Sequence, residues 1–214
     1  MTTYGDALSR YITELFASED EVLRKIWESN RDKGLPAINI RPEEGRFLQF
    51  LARACGAKRA VEIGTLGGYS GIWIARGLLP GGKLITLERE PDRAEFAREH
   101  FALAGLSDVV EVRAGNAHRL LNSLSQEGPF DFVFIDADKT GYDAYFTWAL
   151  DNVRVGGVIA AHNAFRGGGV LESSGVDEST ATIQAFNRRV ANESRVISTI
   201  YPAGDGMILA VRTE

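Results

Sequence analysis

Cysteine is almost missing from this 214-residue chain, with Cys55 standing alone. An intrachain disulfide is therefore excluded, and so is a zinc site built on several thiolates. Cys55 follows an apolar helical stretch and reads as a small buried core residue. Long apolar runs are missing too, since none approaches the ~20 residues of a membrane span. The opening MTTYGDALSRYI holds no apolar core of signal-peptide length. A cytoplasmic protein with no membrane partner is the expectation. Positive charge is not in excess: 24 Lys and Arg stand against 29 Asp and Glu, a net charge of −5. With no basic run, such a chain has no electrostatic reason to seek nucleic-acid phosphates. The phosphate-cradling pattern G-x-x-x-x-G-K-[ST] is also absent.

What is present is an ordinary globular composition, 44% hydrophobic and 25% charged, and enough chain to bury the core of one α/β domain. We expect a single domain over 1–214, with helices in 1–57 and a Rossmann-like core in 58–214. In 4–17 the residues Tyr4, Ala7, Leu8, Tyr11, Ile12 and Leu15 fall at helical spacing. Ser18 with Glu21 suggests the start of a second helix running through Trp27. Gly34-Leu35-Pro36 breaks the chain, and Pro42 suits the first turn of a third helix. Short apolar segments at 59–63, 83–88, 109–113, 130–135 and 155–161 read as strands. Helical patterns at 68–77, 91–104, 116–125 and 141–150 lie between them. This alternation predicts an α/β fold: a doubly wound, mostly parallel sheet with helices on both faces. A last helix at 177–192 precedes strands at 195–200 and 206–211. The short link between these two permits a hairpin, which gives an antiparallel C-terminal strand. The segment 166–175, with Gly167-Gly168-Gly169, reads as a mobile loop.

The first strand runs through Ala60-Val61-Glu62-Ile63 into Gly64-Thr65-Leu66-Gly67-Gly68 and then a helix. In doubly wound sheets, ligands bind beyond the carboxyl ends of strands near the point where strand order reverses. The glycine spacing is not the G-x-G-x-x-G of a dinucleotide site, and Glu62 would repel a pyrophosphate. A nicotinamide-dependent oxidoreductase is thereby disfavoured. A carboxylate instead suits a cationic ligand such as S-adenosylmethionine (SAM), which carries a sulfonium and an ammonium and no phosphate. Glu88, at the tip of the second strand, is placed to accept both hydroxyls of a ribose. The fourth strand, FDFVFI, ends in Asp136-Ala137-Asp138-Lys139. Two carboxylates and a lysine at that edge suit a divalent cation and a general base. The fifth strand ends the same way in His162-Asn163.

Taken together, VEIGTLGGYS, Glu88, FDFVFIDADK and the strand-end His-Asn resemble the cation-dependent small O-methyltransferases, the caffeoyl-CoA and catechol O-methyltransferases and their bacterial relatives. The likeness runs from about residue 38 to 207, with IRPEEGRF and YPAGDGMILA as further segments. It implies SAM as cofactor, a small phenolic or catechol-like acceptor, and a homodimer. It also implies that Ile40 lies beside the cofactor and that Glu62, Gly64, Thr65 and Ser70 hold its methionine end. Glu88 would take the ribose, Gly115, Asn116 and Ala117 would flank the adenine, and Asp136 would lie near SAM and bind the metal. Lys139 matches the family's base for the substrate hydroxyl, and Asp138 a residue at the substrate edge. Trp27, Tyr142, Trp148 and Phe165 could contribute aromatic surface to the acceptor pocket, although core packing is the better reading for most of them. One departure matters: the family has Asp-Asn where this chain has His162-Asn163. Asp136, His162 and Asn163 would then form a metal site with one carboxylate fewer, drifting from Mg²⁺ toward Mn²⁺, Fe²⁺, Co²⁺ or Zn²⁺. Alternatively no metal binds and His162 is the base, or the chain binds SAM without catalysis.

Overall fold

The computed structural model describes residues 5–34, 36 and 38–214; Tyr4 and Leu35 lie outside them. Helices α1 (Asp6–Phe16), α2 (Glu21–Asp32) and α3 (Pro42–Ala54) come first. Strands and helices then alternate: β1 (Arg59–Ile63), α4 (Tyr69–Gly77), β2 (Lys83–Glu88), α5 (Pro91–Leu103), β3 (Val110–Ala114), α6 (Ala117–Leu124), β4 (Phe130–Ile135), α7 (Tyr142–Asn152) and β5 (Val153–His162). The chain closes with α8 (Glu178–Ala191), β6 (Val196–Tyr201) and β7 (Met207–Arg212).

The seven strands form one sheet in the order β3-β2-β1-β4-β5-β7-β6. All neighbours run parallel except β7, which is antiparallel to both β5 and β6. The expected Rossmann-like α/β sheet with an antiparallel closing strand is the observed one. Strand order reverses between β1 and β4, and this opens a crevice beyond their carboxyl ends.

The period-2 alternation of side chains sorts the strands' apolar residues into two layers. Val61, Ile63, Ile85, Leu87, Val133, Ile135 and Ile159 pack on α6, α7 and α8 through Leu121, Phe146 and Phe186. Ala60, Leu84, Phe132, Phe134 and Ala160 pack on the other face against Leu48, Ile72, Trp73 and Phe101 from α3, α4 and α5. Leu23 and Ile26 bring α2 onto that second layer. By contrast α1 leaves Tyr11, Leu15 and Phe16 exposed. Among the described residues no helix is long and apolar enough to cross a membrane.

Two local expectations are corrected. The cap of α2 is Asp20, whose side chain accepts from the Leu23 N–H at 3.0 Å, and not Ser18. A carboxylate at this end also meets the positive pole of the helix. Strand β5 begins at Val153, two residues earlier than expected, because Asp131 anchors Arg154 at 2.6 Å. The segment expected to be a mobile loop, 166–175, holds a 3₁₀ turn over Arg166–Leu171 followed by irregular, exposed residues at 172–175. Asp205 accepts the Gly167 N–H at 2.6 Å, and Gln184 donates to the Val170 and Glu172 carbonyls at 3.1 and 2.8 Å.

Candidate active site

A cavity of about 600 Å³ opens at the crevice. Its floor is the turn after β1. Gly64 sits there at φ +100°, and a Cβ would overlap the Asp136 carbonyl oxygen, so the two strand ends close together only with glycine. The Gly64 N–H donates to the Leu87 carbonyl at 3.0 Å, and the Asp136 N–H to Ile63 at 2.9 Å. These bonds tie the tips of β1, β2 and β4 into one frame.

Of the residues assigned to the cofactor from sequence, Ile40, Gly64, Thr65, Ser70, Glu88, Gly115, Asn116, Ala117 and Asp136 all line this cavity. Glu62 lies one layer beneath. It is fully buried and accepts from Ser70 Oγ at 2.5 Å and Thr86 Oγ1 at 2.6 Å. Burial pushes its carboxyl up to about 7 against those two hydrogen bonds, and the charges of Asp136 and Glu88 add to the rise. Glu88 is held by the Leu66 and Glu90 N–H groups at 2.9 and 3.0 Å. Asn116 caps α6 by accepting from the Arg119 N–H at 3.3 Å.

The acidic end of β4 is tightly paired. Lys139 Nζ donates to Asp136 Oδ1 at 3.1 Å and to Tyr142 Oη at 2.6 Å. Tyr142 donates on to the His162 carbonyl at 3.3 Å. Burial works to raise the Asp136 carboxyl, yet His162 and Lys139 pull it down to about 2. Asp138 faces the cavity and accepts from Tyr145 Oη at 2.8 Å.

His162 stands apart from the cavity lining and is almost fully buried. Its Nδ1 lies 3.4 Å from Asp136 Oδ2 and its Nε2 lies 2.8 Å from Glu44 Oε1. Burial alone would lower the imidazole, but the charge and contact of Asp136, joined by Glu44, push it up to about 10. Asn163 adopts φ +60°, and its Nδ2 donates to Asp205 Oδ2 at 2.9 Å. These donors do not fit the metal set expected from sequence. A metal-bound histidine must offer a lone pair, whereas both ring nitrogens of His162 face carboxylates. Asp136 is paired through both oxygens, and Asn163, which lines the cavity, spends its Nδ2 on Asp205 and has a neutral amide oxygen as its one remaining donor to a metal. Among the described residues no group of three His, Cys, Asp or Glu side chains is arranged to hold a metal ion. The same two contacts leave His162 no free nitrogen with which to act as base.

The four candidate aromatics are found packed within the fold, as core packing predicted for most of them. Trp27, Tyr142, Trp148 and Phe165 do not line the cavity. Tyr142 packs edge-on to Phe186, Trp148 lies against Phe130, and Trp27 lies against Tyr69. Tyr145 and His118 line it instead, with ring centroids 4.9 Å apart, as do Arg89 and Arg166. Tyr145 carried a usable signal: it lies one helical turn beyond Tyr142.

With this geometry in view, known proteins give a consistent identification. A sequence model of the O-methyltransferase family matches residues 13–213. A catechol O-methyltransferase of Niastella koreensis is 41% identical over 213 residues, spanning 96% of each chain. One of Mycobacterium tuberculosis is 41% identical over 205 residues, 94% of this chain and 93% of its own length. The crystal structure of an O-methyltransferase from Bacillus cereus in complex with SAH superimposes with a TM-score of 0.90 at 41% identity and 97% coverage of both chains. That of TomG from Streptomyces achromogenes, in complex with SAM, gives 0.88 at 38% identity, covering 97% of this chain and 96% of that one. This chain belongs to the O-methyltransferase family.

Proposed function

We propose that this protein transfers the methyl group of SAM to a hydroxyl of a small phenolic or catechol-like acceptor. The observation that carries the reading is one cavity that gathers Ser70 above the buried Glu62, Glu88 at the tip of β2, and the Asp136–Lys139 pair. Its volume lies within the ~300–1,000 Å³ usual for small-molecule sites. The 41% identity to two catechol O-methyltransferases and the SAM and SAH in the related structures support both cofactor and acceptor class.

The roles follow from the layers of the site. A ribose held by Glu88 and an amino-acid end above Ser70 and Glu62 would fix the sulfonium between them. The ligand's ammonium favours the ionised form of Glu62 and displaces its proton. Methyl transfer is an in-line displacement. An acceptor lone pair forms the O–CH₃ bond as the S–CH₃ bond breaks, and the sulfonium becomes a neutral thioether. Holding the two partners in line supplies much of the rate. The hydroxyl proton passes to Lys139, the basic group at the cavity edge, and Asp136 pairs with the lysine ammonium. Tyr145, His118 and Arg166 shape the acceptor side.

The test is turnover with SAM and a simple catechol by Lys139→Ala and Glu88→Ala. Loss of SAM binding in Glu88→Ala, and loss of turnover with SAM binding retained in Lys139→Ala, supports the assignment. Retained turnover in Lys139→Ala contradicts it.

A further inference from the structure

We propose that His162, clamped between Asp136 and Glu44, supplies from the chain itself the positive charge that related enzymes recruit as a divalent cation. Methyl transfer here then needs no metal. The inference rests on the functional reading above and concerns the same site.

Placement comes first. Strands β4 and β5 are parallel neighbours with Ile135 opposite Ala161, so the next residue of each, Asp136 and His162, emerge side by side. Both point to the sheet face covered by α3, because side chains alternate along a strand. There Glu44 waits. Its Oε2 accepts the Arg41 N–H at 2.8 Å at the first turn of α3, which fixes the carboxylate, and its Oε1 turns to His162. Gly204, in the β6–β7 turn, lies against the same carboxylate with φ +58°, and a Cβ would overlap it. Three separate segments are thus shaped around the Glu44–His162 contact.

Chemistry comes second. A neutral imidazole has one donor nitrogen and one acceptor nitrogen, while an ionised carboxylate only accepts. A ring that meets a carboxylate at each nitrogen is satisfied when both carry hydrogen, as an imidazolium. A charge so deeply buried is stable when paired, here by Glu44 at 2.8 Å and by Asp136 at 3.4 Å. The cation therefore sits against Asp136 Oδ2, while Oδ1 faces Lys139 and the cavity. His162 does not touch the cavity, so it acts through Asp136 as a positioning residue. It offsets the Asp136 charge that would otherwise disfavour a developing phenolate nearby.

The experiment measures Mn²⁺ binding by electron paramagnetic resonance on the full chain with SAH bound. It compares the native protein, H162D and H162N, alongside turnover before and after chelation. H162D restores the carboxylate usual in the family. The native protein is expected to bind no Mn²⁺ at micromolar concentration and to keep its rate after chelation. H162D is expected to bind Mn²⁺ roughly 100-fold more tightly or better, and to lose its rate on chelation. H162N should lose rate through kcat with little change in KM, and should not recover with Mn²⁺. Tight Mn²⁺ binding by the native protein, chelation-sensitive native turnover, or an H162D variant that gains no Mn²⁺ overturns the proposal. The Mn²⁺ readout needs no acceptor, so it decides on His162 even if no phenol is methylated, a result that would count against the functional reading alone.

Discussion

Glu44 and His162 are 118 residues apart in the chain and 2.8 Å apart in space. Their contact joins the first turn of α3 to the end of β5, and Asp136 closes the other side of the ring. Because both partners are buried, removal of one strands the other. Glu44→Ala is expected to lower unfolding free energy by roughly 3 kcal/mol, in the range for breaking a buried ion pair. Urea denaturation at neutral pH measures it. A loss below about 1 kcal/mol would mean that water or a neighbour replaces the carboxylate.

Lys139 pairs with Asp136 and Tyr142 and faces the cavity. Lys139→Ala should cost about 10²–10⁴-fold in kcat, the usual span for a general base, with SAM affinity nearly unchanged. Lys139→Arg keeps the charge but cannot give up a proton at neutral pH. It should not restore turnover. An active arginine variant would show that the lysine serves by charge alone.

Glu62 gives a pH signature. Burial raises its pKa to about 7 in the free protein, above the unfolded value of 4.5. The folded state therefore holds the extra proton between those values, and Glu62's contribution to stability is full below 4.5 and lost as pH rises through 7. SAM binding should work against that proton, because the ligand ammonium favours the carboxylate. Calorimetry at pH 6 in buffers of different ionisation enthalpy should record proton release on binding. SAM affinity should rise with pH and level off above about 7. Glu62→Gln should abolish both effects, and proton release that persists in that variant would assign them elsewhere.

Gly64 joins the two strand tips at a φ of +100° and has no room for a side chain against the Asp136 carbonyl. Gly64→Ala should destabilise by about 1–3 kcal/mol from backbone strain alone, with the contact adding more. It should also weaken SAM binding, read by calorimetry. Native SAM affinity in the variant would show that the β1 turn is not the cofactor floor.

Much of the architecture was legible because β1, β2, β4 and β5 are continuous apolar runs, and a doubly covered parallel sheet demands that pattern. The cavity was legible for the same reason. Once strand order reverses beside β1, Gly64, Glu88 and Asp136 must meet at one edge. What the sequence concealed depends on contacts distant along the chain. The pairing of His162 with Glu44 requires knowing where α3 docks, and Glu44 by itself reads as a solvated residue of a first helical turn. The glycines at 167–169 conceal the contacts of their segment, where Asp205 accepts the Gly167 N–H and Gln184 donates to the Val170 and Glu172 carbonyls. Tyr142, which the sequence offered for the acceptor pocket, shares a helix with Tyr145, which it did not single out. Only their packing separates the one in the core from the one at the cavity.

The most direct measurement of the central claim is transfer of a labelled methyl group from SAM to catechol, with products resolved by mass spectrometry. The expected result is a mono-O-methylated catechol formed together with an equal amount of S-adenosylhomocysteine. SAM bound in the cavity but no methyl transferred to the hydroxyl of any phenol or catechol offered would contradict it.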